Sequence, residues 1–231
     1  MTQIPLPTPD GLVDLKNVQG DVIFGLQKNH EHFVLFTITH PAKFKEALPS
    51  LSISSSDDVH HAHKKIVKFK QESPGKLMKL GLLNISFSQR GIDALGISDN
   101  LGDPNFSKGQ RADSQALGDK GTSDDEGKFR PDWHPGYFKR IDGVMLAAGE
   151  SLETANEKVD EALEALGESV TVVHRLNGKV RDGDYRGHEH FGWLDGISNP
   201  AIKGVVDPLP GQGVVEPGAY CVVVVICKTQ V

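Results

Sequence analysis

The stretch best furnished for chemistry is Asp184-Tyr185-Arg186-Gly187-His188-Glu189-His190-Phe191-Gly192-Trp193-Leu194-Asp195-Gly196-Ile197-Ser198-Asn199-Pro200-Ala201-Ile202. Its carboxylate, Asp195, sits between Gly192 and Gly196 with Phe191, Trp193 and Leu194 as apolar neighbours. Glycines permit sharp turns and let a ligand approach the main chain. If the neighbours exclude water, desolvation raises the carboxyl pKa toward the range useful for proton transfer. The bland reading is a turn, since Asp-Gly is among the commonest turn dipeptides.

Other clusters are weaker. His60-His61-Ala62-His63 follows Asp57-Asp58. It suits an adventitious transition metal, but reads better as a solvated loop after Ser54-Ser55-Ser56. His188-Glu189-His190 lacks the spacing that puts two histidines on one helical face, and its flanking glycines argue against a helix. His174 falls in a strand pattern and reads as a core or edge histidine. Cys221 and Cys227 are the two cysteines, so a disulfide framework for the body is excluded and both read as inert thiols. Gly211-Gln212-Gly213 has no third glycine at dinucleotide-binding spacing. Asn84-Ile85-Ser86 and Asn105-Phe106-Ser107 fit the glycosylation pattern, and Asn105, in a loop, is the better acceptor if the chain is secreted. Tyr185 and Trp193 could relay electrons, but simple packing explains them as well.

Elements must position these residues. The chain has 231 residues, enough for a real core, and 24% charged residues with a net charge of −6. That balance disfavours general nucleic-acid binding. No apolar run approaches spanning length, so no membrane partner is expected. The first residues carry no secretory signal, which predicts a cytoplasmic chain unless an upstream segment directs secretion. Residues 33–39 read as a β-branched and aromatic strand, and 41–48 as a short amphipathic helix opened by Pro41. Leu83, Ile85 and Phe87 alternate as a half-buried strand. Gln89 to Leu95 spans one or two helical turns, and about 96–137 is a polar insertion. Residues 142–149 read as a third strand. Ser151 to Leu166 is a helix capped by Ser151 and Gly167, with Leu152, Ala155, Val159, Ala162, Leu163 and Leu166 on one face. Val170 to Leu176 is a fourth strand, closed by an Asn177-Gly178 turn. This β-α-β-β-α-β order predicts an α+β, ferredoxin-like sandwich with both helices on one face of an antiparallel sheet. The expected division is a lead-in over 1–32, the sandwich over 33–178, an irregular linker and loop over 179–218, and a tail over 219–231.

Gly192-Trp193-Leu194-Asp195-Gly196 matches the G-x-x-D-G signature of the dye-decolourising peroxidases, and its flanks resemble the fungal members of that family. The resemblance extends to Asn17-Val18-Gln19-Gly20-Asp21-Val22 and to His134-Pro135-Gly136-Tyr137-Phe138-Lys139-Arg140-Ile141-Asp142-Gly143-Val144. It covers about residues 15–218. The resemblance implies a haem b peroxidase in which two ferredoxin-like domains enclose the cofactor. Asp195 would be the distal acid–base, taking a proton from hydrogen peroxide and returning it to the leaving oxygen. Gly192, Gly196, Ile197 and Ser198 would lie along the distal haem face. Dyes or phenols would be the organic reductants.

In the family the proximal histidine and distal arginine lie well downstream of the motif. The 35 residues after Gly196 contain neither histidine nor arginine. The expectation is therefore a truncated product, ending early in its second domain and without turnover by itself. An exposed domain face would favour self-association. The alternative is a non-catalytic ferredoxin-like remnant that binds haem weakly or binds a protein partner. A third reading, an oxygen carrier, gives Asp195 no task.

Overall fold

A computed structural model describes residues 13–26, 29–98, 101–194 and 200–216. Four strands form its centre: β1 (His30–Ile38), β2 (Leu82–Phe87), β3 (Gly143–Gly149) and β4 (Val170–Lys179), in the order β2-β3-β1-β4 with every pairing antiparallel. The ferredoxin-like expectation holds. Period-two alternation sends Val34, Phe36 and Ile38, with Leu83, Ile85, Phe87, Met145 and Ala147, to one face. There they meet Phe44 of helix α1 (Pro41–Ala47), together with Val159, Ala162 and Leu166 of helix α3 (Leu152–Leu166). Phe36, Phe44 and Phe87 pack ring on ring, with centroids 5.9 to 6.2 Å apart. Burying such side chains stabilises by about 1.5–3 kcal/mol each.

The sequence reading fails over residues 56–72. These form a helix, α2 (Ser56–Glu72), and not a solvated loop. Ser55 begins it with a capping box: its hydroxyl accepts from the Asp58 amide at 3.2 Å, and the Asp58 carboxylate accepts from the Ser55 amide at 2.8 Å. Val59 packs with Leu26, Leu82 and Ala148 on the sheet face opposite α1 and α3. The helices therefore do not all share one face. The three histidines are carried on this helix. Among the described residues no group of three or more His, Cys, Asp or Glu is placed to hold a metal ion.

Two boundaries also move. β1 begins at His30, three residues early. Asn177-Gly178 is no turn: it continues β4, with Asn177 opposite His32 and Gly178 opposite Glu31. Pairing with nine residues of β1 outweighs local turn propensity.

The Asn17–Val22 segment closes the sheet edge. The Gln19 carboxamide donates to the Ile85 carbonyl at 2.9 Å and accepts from the Ile85 amide at 2.8 Å, as a neighbouring strand would. Asn84 accepts from the Asp21 amide and donates to the Ser54 carbonyl, both at 2.8 Å. This buried asparagine is fully engaged in the fold. Asn105 is exposed, in a helical turn over Pro104–Lys108.

Candidate functional site

The polypeptide leaves the sheet at Lys179, whose ammonium pairs with Asp182 at 2.7 Å. Val180 adds one more bond to the Asn29 carbonyl at 2.9 Å, so the exit is anchored on the β1 side. A helical turn follows over Gly183–Tyr185. Arg181 holds it twice: its guanidinium lies 4.2 Å from the Tyr185 ring centroid and donates to the Glu189 carbonyl at 3.1 Å.

Residues 188–194 then fold back as a tight finger. His188 and Leu194 form its base, the Glu189 amide donates to the Trp193 carbonyl at 2.9 Å, and the Gly192 amide donates to the Glu189 carbonyl at 2.9 Å. Gly192 makes the reversal at φ 104°, a backbone region costly for residues with a side chain. At Gly187 a Cβ would meet Leu194 at an ordinary 3.4 Å, so the φ of 82°, and not crowding, is what favours glycine there. The signature's first glycine is thus a turn residue.

The finger's apolar side chains face outward. Phe191 is 88% exposed, Trp193 76% and Tyr185 57%. They do not bury one another; the expectation that they shield the Asp195 carboxylate concerns a residue outside the described ones. The His188 Nδ1 is the reverse, buried and without a hydrogen-bond partner among the described residues. Asp195, Gly196, Ile197 and Ser198, the remaining predicted site residues, lie outside the described residues. So do Cys221 and Cys227. Beyond them, Ala201–Ile202 pairs in parallel with Val214–Val215, and Ala201 and Ile202 are buried.

A haem site needs flat apolar walls, a proton-transfer group and a ligand to iron. The described loop fits one wall: outward Phe191, Trp193 and Leu194 offer apolar surface that water leaves readily, and His188 brings a buried ring nitrogen without a partner among the described residues. The glycines at 187 and 192 allow close approach at that wall.

Sequence reasoning did not foresee how the site's scaffold is tied down. His134 and His174 stack with ring centroids 4.5 Å apart, and Tyr137 meets His174 edge-on at 5.5 Å. A Cβ at Gly136 would stand 3.0 Å from the His174 ring, so glycine lets the end of the insertion seat on β4 just before the exit. Asp142 is wholly buried at the start of β3, accepting from the Ile38 amide at 2.8 Å and from Arg140 Nε at 2.8 Å. Both lie in the His134–Val144 segment, whose resemblance to the family was the only sequence signal for them.

The model of the DyP dimeric alpha+beta barrel domain matches residues 17–182. Peroxidase 2 of Mycetinis scorodonius is 36% identical over 210 residues, covering 90% of this chain and 38% of that protein. The dye-decolorizing peroxidase of Mycena epipterygia is 35% identical over 213 residues, covering 91% of this chain and 37% of that protein. A mutant dye-decolorizing peroxidase from Pleurotus ostreatus superposes with TM-score 0.80 at 36% identity, over 89% of this chain and 44% of that one. A further structure, described as an engineered heme pocket of a dye-decolorizing peroxidase for asymmetric sulfoxidation, superposes with TM-score 0.70 at 33% identity, over 89% of this chain and 42% of that one. The chain thus spans well under half the length of the relatives it matches.

Proposed function

This chain belongs to the dye-decolourising peroxidase family, and from that premise we propose that it provides the distal side of a haem peroxidase that uses hydrogen peroxide to oxidise dyes or phenols. The observation that carries the reading is the continuity of the match. A βαββαβ sheet of the family's kind leads, through an anchored exit, directly into a glycine-turned finger, after which Asp195 is the next residue in sequence. The domain division follows: a lead-in that closes the sheet edge, the sandwich, and the loop over 179–218.

Haem b, when bound, supplies the redox chemistry with peroxide. The chain's own residues handle position and protons. Asp195 accepts a proton from the near oxygen of hydrogen peroxide and returns it to the departing oxygen, which leaves as water. With haem bound, Gly192, Gly196, Ile197 and Ser198 would line the distal side, and Phe191, Trp193 and Leu194 would shed water against the cofactor. The residues given after Gly196 include no histidine, so they supply no histidine ligand to the iron. We therefore propose that residues 1–231 bind hemin without sustained turnover.

The test is to add hemin to residues 1–231 and record the visible spectrum with and without peroxide. A Soret band that sharpens and then responds to peroxide in wild type, but not in Asp195→Asn, supports the distal role. A free-hemin spectrum indifferent to Asp195 would sink it for this chain.

A further inference from the structure

Helix α2 carries a charge pattern that the peroxidase reading does not use. Between Val59 and Leu80 stand six lysines and one acid, Glu72, a net charge of +5 in a chain of net charge −6. Counted from the start of the helix at Ser56, Asp57 and Asp58 reduce the excess to +3, so the helix and the segment after it carry a local basic excess that lies beyond its first turn. Lys64, Lys65, Lys68, Lys70, Lys76 and Lys79 are all exposed. Among the described residues only Lys68, with Glu72 at 3.7 Å, and Lys79, with Glu157 at 2.7 Å, are in ion pairs.

The same segment shows apolar surface. Val59 and Ala62 are buried and seat the first half of the helix, while Ile66 and Phe69 continue that stripe only half-buried. Val67 is 45% exposed and falls between Lys64 and Lys70 around the helix, and Leu77 beyond the helix is 54% exposed. On the side of the helix away from Val67, an open groove of about 450 Å³ has Ala62, Leu80 and Leu82 in its walls and Asp58, His61 and Lys65 among its polar groups.

We propose that this helix and the following segment to Leu80 seat the protein on an anionic lipid surface. Among the described residues no helix is long and apolar enough to cross a membrane. Lying on a bilayer is a different physical problem. Clusters of four to eight lysines on an amphipathic helix bind acidic headgroups. Lysines alone would suit any polyanion. Exposed Val67 and Leu77 among them favour lipid, where acyl chains reward apolar contact.

The experiment sediments residues 1–231 with vesicles of phosphatidylcholine alone and of phosphatidylcholine with phosphatidylserine at about 7:3. We expect sedimentation with the anionic vesicles only, weakening as salt rises. The quadruple variant Lys64→Glu, Lys65→Glu, Lys68→Glu, Lys70→Glu should lose roughly a hundredfold or more in partitioning while keeping its circular dichroism. If that variant unfolds, the pair Lys65→Glu, Lys68→Glu replaces it, with a loss of at least about tenfold expected. Equal binding to neutral vesicles, undiminished binding by the variants, or no binding at all overturns the proposal. So does tight heparin binding without vesicle binding, which would make the surface a polyanion site.

Discussion

At the scale of single residues, the fold places demands that local sequence hides. Gly91 lies in the short helix Gln89–Ala94, where alanine would ordinarily be better by about 1 kcal/mol. Here a Cβ would stand 1.9 Å from the Asp142 carbonyl oxygen, which is main chain fixed at the start of β3. The clash decides the sign, and Gly91→Ala should destabilise by roughly 2–3 kcal/mol in urea unfolding. An unchanged midpoint would mean that the helix slides away freely. Two titratable groups on β1 pull in opposite directions with pH. Burial, aided by the negative charge of Asp21, pushes the Glu31 carboxyl above the ordinary glutamate range. The folded state then binds that proton more tightly, so its stabilising effect is full at acid pH and lost as pH rises through the folded value. Glu31→Gln should therefore raise the thermal midpoint at about pH 7 and change it little at about pH 4, and an equal gain at both would exclude titration as the cause. Burial pulls the His32 imidazole below the ordinary histidine range, against a 2.6 Å bond from Nδ1 to Asn156 Oδ1 that works the other way. Its contribution is full above the ordinary value and lost as pH falls through the lowered one. Thermal melts between about pH 7 and pH 5 should fall more steeply for wild type than for His32→Gln.

At the scale of elements, caps and edges matter more than composition. Ser55→Ala removes the hydroxyl of the α2 capping box and should cost about 1 kcal/mol in chemical denaturation. No loss would mean that Asp58 alone holds the helix end. That cap was in plain sight as Ser55-x-x-Asp58, and Val59, Ala62, Ile66 and Phe69 follow at helical spacing. Three histidines and a serine run disguised both as a loop. Elsewhere the sequence was more transparent. The four strands and α3 declared themselves because each buries one face, so periodicity survives in the residue order. The fit of β4 to β1 did not, because it overrides an Asn-Gly turn signal through partners more than a hundred residues away. Asp142 was illegible for the same reason: its amide donor, Ile38, is 104 residues distant. Of the candidate site, Gly192's role was legible from residue type, while the outward stance of Phe191 and Trp193 was not. Apolar residues beside a carboxylate look buried until the chain's path turns them out.

At the scale of the whole molecule, stability and function occupy different ends of one polypeptide. The sheet is held by paired strands, a buried core and an edge closed by Gln19, so its amides open only with deep unfolding. The finger at 188–194 is held by a few short-range bonds, and its largest side chains face solvent. Amide exchange should therefore be slowest in β1 and β3, the two central strands, and fast in the finger. If hemin rests against Phe191, Trp193 and Leu194, adding it should slow exchange across the finger while leaving β1 and β3 unchanged. Binding then adds local order without altering the global fold. Slowing spread evenly over the sheet would instead point to general stabilisation or self-association, and protection confined to α2 would place the cofactor on the wrong surface. Either result would detach the finger from the distal wall, even with the family membership intact. The proposed distal wall lies in a lightly held stretch of the described residues because a wall that must open to a flat cofactor cannot also be packed into a core.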